Sequence, residues 1–486
     1  MEGDESSDER PKGLKPTFFR FFGRLPKLAQ RSIKSLLPFA FLIIIALLPL
    51  GIEPTIQYAL AVFVCVAMLW TFGSFPLAVT ALLVPVLLTF FGIFRAAEAL
   101  EPFADPVVYL LMGGLIIAEA FRRNGLDKRL AYYLISIMGG EMRRVLLALM
   151  LTAAFLSMWI SNTAAVALLI PVAFGIASKA GEDKAKMSLL FLLGIGIASV
   201  FGGMATITGS PPNAITSGLL ARETVWTFFD WMKIGVPLSV LLLGMLYWVL
   251  PRIMKVERRS IDISAIREEL KTLGPLKPGE KKTLLVFFPT VALWILGSEI
   301  ASSLGFSEGF MSAAIVALSS AFLLFAIKAL DWNDAKNISW EVFLIVGAGL
   351  ALGEGLQASG AAEWMADIIA NSIGAYGIPV MMLVVAIFCV VLTNFMSNTA
   401  TAAVMVPILI GVSSSLGLDP KFLVLVTGFA VGISFITPIG TPPITLIYST
   451  GSVTRRDLAR TGLIIGVPAT LAVVALVFLS VNFGLV

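Results

Sequence analysis

The chain carries FLSMWISNTAAVALLIP at residues 155–171 and VLTNFMSNTATAAVMVP at residues 391–407. Each sets a polar triplet in the middle of an apolar run, and Ser161-Asn162-Thr163-Ala164 returns as Ser397-Asn398-Thr399-Ala400, 236 residues later. The runs around them, 145–178 and 376–412, are too long for one ordinary membrane crossing of about 20 residues. Two further long runs, 187–220 and 422–450, are interrupted by Gly209-Ser210-Pro211-Pro212 and Gly440-Thr441-Pro442-Pro443. A break of this kind facing lipid would leave backbone N–H and C=O groups unpaired, so it persists only where protein buries it or where it lines a cavity. These four breaks predict two re-entrant helical hairpins and two broken helices.

More anchors keep the pairing. Pro171 and Pro407 share the offset of 236, while Gly114-Leu115, Glu119 and Gly125 match Gly349-Leu350, Glu354 and Gly360 at an offset of 235. The chain therefore reads as two related halves, 36–251 and 283–486. They follow a polar tail, 1–35, and are joined by a basic connector, 252–282.

Composition agrees. Of 486 residues, 58% are hydrophobic and 14% charged, against about 45–50% and about 25% in soluble domains. The expectation is an all-α polytopic membrane protein of about eleven transmembrane helices plus the two hairpins. With no histidine, imidazole relays and His-metal sites are excluded. Cys65 and Cys389 both sit in apolar runs, where a disulfide framework is improbable. The tail, MEGDESSDERPKG, has no signal-peptide pattern. The net charge of +4 belongs to membrane topology and implies no nucleic-acid partner. With the N-terminus cytoplasmic and the hairpins re-entrant, 31 of the 35 Lys and Arg fall inside, leaving Arg95, Arg222, Lys233 and Lys421 outside. That bias obeys the positive-inside rule. The two hairpins then open to opposite sides, so the repeats are inverted. Inverted repeats with paired broken segments mark a secondary transporter with a midplane site.

The residues at the breaks suit that role. A half-helix starting at Thr163 or Thr399 aims its free N–H groups and positive dipole end at the site. Asn162 and Asn398 offer an acceptor and a donor. Ser157 and Ser161, four apart, share a face on a continuous helix, as do Thr393 and Ser397. The Pro-Pro breaks free carbonyls to hold a cation. Residues 145–178, 187–221, 368–418 and 422–454 hold no Asp, Glu, Lys or Arg. A multivalent anion bound there needs cations beside it, because an unpaired buried charge is costly. Glu119 and Glu354 lie toward the ends of their spans and read as packing or hydrogen-bonding carboxylates.

On these motifs the chain resembles the divalent anion–sodium symporter family, carriers of dicarboxylates, citrate or sulfate. The resemblance implies an elevator mechanism, a scaffold that makes a homodimer in the lipid bilayer of the plasma membrane, and a sodium ion at each hairpin tip. It places Ser157, Ser161, Asn162 and Gly209 around the first sodium. Thr393, Met396, Asn398 and Gly440 surround the second. Asn162, Thr163, Ser210, Asn398, Thr399, Thr441 and Pro442 meet the substrate. The family's breaks read Thr-Pro-Pro-Asn; here the first has Ser210 and Asn213, and the second has Ile444 in the Asn position. The expected activity is sodium-coupled transport of C4-dicarboxylates such as succinate, malate or fumarate. Alternatives within the same fold are an anion exchanger or a citrate or sulfate symporter. A channel is disfavoured by the absence of charged rings. An enzyme is disfavoured because no nucleophile–base pair or metal cluster is present.

Overall fold

The computed structural model describes residues 27–73, 75–256, 260–306, 309–373 and 376–486. Most of the polar tail lies outside these residues. Among them everything regular is helical apart from one isolated bridge between Glu141 and Ser260.

The first half runs α1 (Lys27–Leu47), α2 (Pro54–Phe72), α3 (Leu77–Phe90), α4 (Pro106–Arg123), α5 (Leu126–Met138), α6 (Met142–Ser157), α7 (Asn162–Ala177), α8 (Lys184–Gly203), α9 (Pro211–Glu223) and α10 (Phe228–Ile253). The connector contains α11 (Ser264–Leu273). The second half follows as α12 (Pro278–Ser303), α13 (Ala313–Ala326), α14 (Glu341–Ala358), α15 (Ala361–Ile373), α16 (Ile378–Thr393), α17 (Asn398–Ser415), α18 (Lys421–Ala430), α19 (Pro442–Ser449) and α20 (Arg455–Asn482). Element starts recur in order: Leu77 and Ala313 are 236 apart, Pro106 and Glu341 are 235 apart, and Pro211 and Pro442 are 231 apart.

Local signals explain the boundaries. Asp105 caps α4 by accepting from the Val107 N–H at 2.8 Å, with Pro106 at the first helical position. Gly125 and Gly360, anchors of the repeat, take φ of 73° and 75° at the α4–α5 and α14–α15 turns, a left-handed backbone that suits glycine. Reciprocal Thr–Asp capping boxes open α10 (Thr227, Asp230) and α20 (Thr454, Asp457).

The halves interlock. Helix α3 packs on α14 of the other half, and α13 packs on α4 in return. Likewise α9 packs on α17, and α19 on α7. Helix α8 is buried along nearly all its length. Large apolar side chains remain exposed on peripheral helices, among them Ile43 on α1, Phe90 on α3, Phe288 on α12, Phe322 on α13 and Val467 on α20. Extensive exposed apolar surface on a folded chain marks contact with lipid or another protein.

Among the described residues seven helices are long and apolar enough to cross a membrane, or eight if the bent pair Ala96–Ala104 and Pro106–Arg123 forms one span. One of the seven, Asn162–Gly203, is divided by Gly181, at φ 61° and ψ −127°, into α7 and α8. The expected eleven full spans are therefore not all single long helices. Several expected crossings are built from shorter helices such as α3, α13 and α18.

Candidate functional site

The two Ser-Asn-Thr triplets lie at turns between consecutive helices, the expected hairpin arms. Helix α6 ends at Ser157, the chain turns through Met158–Ile160, and Ser161 caps α7 by accepting from the Ala164 N–H at 3.4 Å. Helix α16 ends at Thr393, and α17 begins at Asn398 after Ser397. Each arm thus starts at Asn, one residue before the expected Thr. The helical face expected for Ser157 with Ser161, and for Thr393 with Ser397, does not form, because the chain leaves the helix between them. Each tip instead joins the carbonyl end of one helix to the N–H end of the next, so opposite partial charges meet there.

At the first tip Ser157 is fully buried, and its Oγ has no hydrogen-bond partner; neither has the buried Oδ1 of Asn162. The Asn162 amide lies over Gly203, where an added Cβ would come within 2.5 Å of that Oδ1. At the second tip the matching atoms are engaged. Thr393 Oγ1 lies 2.8 Å from Asn398 Oδ1 and 2.8 Å from the Val431 carbonyl. One hydroxyl hydrogen cannot serve both acceptors, so this cluster also holds more lone pairs than protons. Asn398 Nδ2 donates to Ser434 Oγ at 2.8 Å.

The broken helices reach back to the tips. Thr206 Oγ1 donates to the Met158 carbonyl at 2.5 Å, and Thr437 Oγ1 to the Asn394 carbonyl at 2.6 Å. The N–H of Gly209 bonds the Thr206 carbonyl at 3.3 Å, and that of Gly440 the Thr437 carbonyl at 3.3 Å. Neither glycine tolerates a side chain: a Cβ would approach the Gly203 carbonyl to 2.4 Å and the Ser434 carbonyl to 2.2 Å. The prolines do not end helices; Pro211 and Pro442 start α9 and α19 at positions that need no N–H partner. Helix α8, just before the first break, meets the second break, with Phe201 edge-on to Phe435 at 5.5 Å.

A cavity of about 470 Å³ lies between α4 and α7, lined by Glu119, Arg122, Asp127, Lys128, Ser161 and Ala167 among others. Of the residues expected at the site, Ser161 lines it; Thr163, Ser210, Asn398 and Thr399 are half-buried elsewhere, Thr441 and Met396 are buried, and Pro442 is exposed. Burial raises the Asp127 carboxyl above its ordinary range, against the pull of the Lys128 N–H and the nearby cations. Glu119 pairs with Arg122, and Glu354 with Arg222. Both carboxylates are thus held by arginine. Thr206, Thr437, Asn394, Ser434 and Val431 escaped the motif reading. Thr206 and Thr437 share the 231 offset of the prolines, so extending that pairing a few residues upstream would have found them.

Residues 29–483 match the model of the sodium:sulfate symporter transmembrane region. An uncharacterized transporter of Haemophilus influenzae is 34% identical over 433 residues, covering 87% of this chain and 91% of that protein. The sodium-dependent dicarboxylate transporter SdcS of Staphylococcus saprophyticus is 31% identical over 448 residues, covering 87% and 86%. Among solved structures, Neisseria gonorrhoeae MtrF aligns with a TM-score of 0.57 at 14% identity, covering 95% of this chain and 97% of MtrF, a likeness of fold alone.

Proposed function

The chain belongs to the sodium:sulfate symporter family, a family of membrane transporters rather than enzymes, and from that membership we propose that it imports C4-dicarboxylates driven by sodium. The observation that carries the reading is the surplus of neutral oxygen at both tips. Ser157 Oγ and Asn162 Oδ1 are buried without partners, and Thr393, Asn398 and Val431 share one hydroxyl hydrogen. Buried acceptors without donors are costly, and a small hard cation relieves them. In this proposal one sodium takes Ser157, Ser161, Asn162 and the Gly209 carbonyl. A second takes Thr393, Asn398 and the carbonyls of Met396 and Gly440. The two ions then offset the charge of a dicarboxylate held by Asn162, Thr163, Ser210, Asn398, Thr399, Thr441 and Pro442. The name of the staphylococcal relative supports sodium and dicarboxylate.

The same reading assigns the conformation. The charge bias puts Arg122 and Lys128 on the cytoplasmic side of a plasma membrane, so the cavity beside Ser161 opens inward. The tips ride with their arms, the broken helices, α10 and α20. The remaining long helices form the scaffold of a homodimer. An elevator step carries the tips across, exchanging the environments of the two inverted halves.

The test is uptake into proteoliposomes under imposed gradients, with succinate, malate, fumarate, citrate and sulfate offered in turn. The expected result is saturable, concentrative uptake of the C4 acids that requires sodium. Uptake indifferent to sodium, or driven by protons alone, overturns the proposal.

A further inference from the structure

The internal repeat shows an exchange of side chains between two positions. Asn213 follows Pro-Pro in the first half, and its counterpart is Ile444; Met158 follows the end of α6, and its counterpart is Asn394. Each half thus has one Asn and one apolar residue, with the positions exchanged. Each asparagine bonds the broken segment of its own half. Asn213 Nδ2 donates to the Gly203 carbonyl at 2.7 Å and to the Thr206 carbonyl at 2.8 Å. Asn394 Nδ2 donates to the Ile433 carbonyl at 2.9 Å, and its Oδ1 accepts from the N–H groups of Ile436 at 2.9 Å and Thr437 at 3.3 Å. Both are buried, at 2% and 3% exposure.

We propose that Asn394 is the positioning residue of the second half, taking from the hairpin side the role that Asn213 takes from the helix side in the first. Asn394 is not itself a ligand. Its second amide hydrogen goes to the Val390 carbonyl at 2.8 Å, so both hydrogens and both lone pairs of the side chain are used. It acts through the segment it holds. That segment presents Ser434, which orients Asn398, and it precedes Gly440, whose Cβ position is closed by the Ser434 carbonyl. A tip-borne Asn also ties the hairpin to its break more directly than Met158 can. This inference rests on the proposed sodium site at the second tip and names the residue that shapes it.

The experiment transplants the arrangement of the first half into the second. Asn394→Met copies the residue at 158, and Asn394→Met combined with Ile444→Asn restores an amide from the other side. Three readouts are taken on purified full-length protein: yield, Tm in sodium-free buffer, and the sodium dependence of succinate uptake. Asn394→Met is expected to lower Tm by several degrees, and to raise the sodium concentration for half-maximal uptake by roughly tenfold or flatten its cooperativity, because buried backbone groups lose their partners. The double variant is expected to recover most of both losses. The proposal is overturned if Asn394→Met keeps wild-type sodium dependence, or if the double variant improves on it in none of the three readouts. If the wild type shows no sodium dependence, the proposed function falls instead, and the sodium-free Tm comparison still reads the exchange of asparagines on its own.

Discussion

Ser157 and Thr393 occupy matching positions at the ends of α6 and α16, yet their hydroxyls are in different states. The Ser157 Oγ is buried without a partner, whereas the Thr393 Oγ1 meets Asn398 and Val431. Removing them should therefore separate stability from sodium binding. Ser157→Ala deletes an unsatisfied polar group, so in sodium-free buffer its stability should be unchanged or higher by up to about 1 kcal/mol. Its Tm should nevertheless lose part of the rise that sodium gives the wild type. Thr393→Val should lose both, with a stability cost of about 1–3 kcal/mol from the partners left behind. A Ser157→Ala protein with a wild-type sodium response would remove that hydroxyl from the ligand set. Asn162→Ala and Asn398→Ala should each cut uptake severely at near-normal expression. If either variant keeps wild-type rate and sodium affinity, that tip serves packing and not transport.

At the scale of elements, the breaks were legible because backbone polarity in an apolar run has few permitted explanations. The Ser-Asn-Thr triplets fall within a residue of the starts of α7 and α17, and the prolines fall at the first positions of α9 and α19. What escaped were features set by long-range contact. The shared helical face of Ser157 and Ser161 presumed a continuous helix that in fact ends between them. Helices α5, α11 and α15 carry too many polar residues to show as apolar runs. Helix α11 is fixed by docking on α5, by the Ile261 N–H to the Gly140 carbonyl at 2.7 Å, and by Arg129, which joins Glu280 to the carbonyl of Gly274. The described part of the connector is thus a folded clasp. Orientation can be checked on these elements. In protein lacking Cys65 and Cys389, Ala265→Cys on α11 should react with an impermeant thiol reagent only from the cytoplasm. Phe306→Cys, after α12, should react only from outside. Labelling of position 265 from outside would reverse the topology.

For the whole molecule the two halves match in order but not in contact, and in the proposed elevator cycle that difference would correspond to one of its two states. Helix α17 packs closely on α14 and α15, where a Cβ on Gly349 would meet the Ala403 side chain at 3.2 Å and one on Gly411 the Ala362 carbonyl at 2.9 Å. Its counterpart α7 faces α4 across the cavity, and among the described residues a small apolar cluster of Ala118, Leu156, Ile160 and Ala165, separate from the main core, joins them. If transport exchanges the halves, Ala167 should come to pack on Gly114 as Ala403 packs on Gly349, because both pairs keep the repeat offsets. Under the proposed cycle, the end of α9 would hold this inward-open arrangement. There Arg222 of α9 pairs with Asp105 and Glu354, and Glu223 accepts from Gln357 at 3.1 Å. These groups are part-exposed, so screening limits the cluster to about 1 kcal/mol, roughly fivefold in the ratio of two states. Arg222→Gln should therefore move the population away from the inward-open form. In a cysteine-free background Ala167→Cys should react quickly with a cytoplasmic thiol reagent, and adding Arg222→Gln should slow that reaction severalfold. Ala403→Cys, buried now, should become reactive from outside in the same background. Rates unchanged by Arg222→Gln would mean that the ion pairs merely decorate the rim and that packing of α17 on α14 alone sets the resting state.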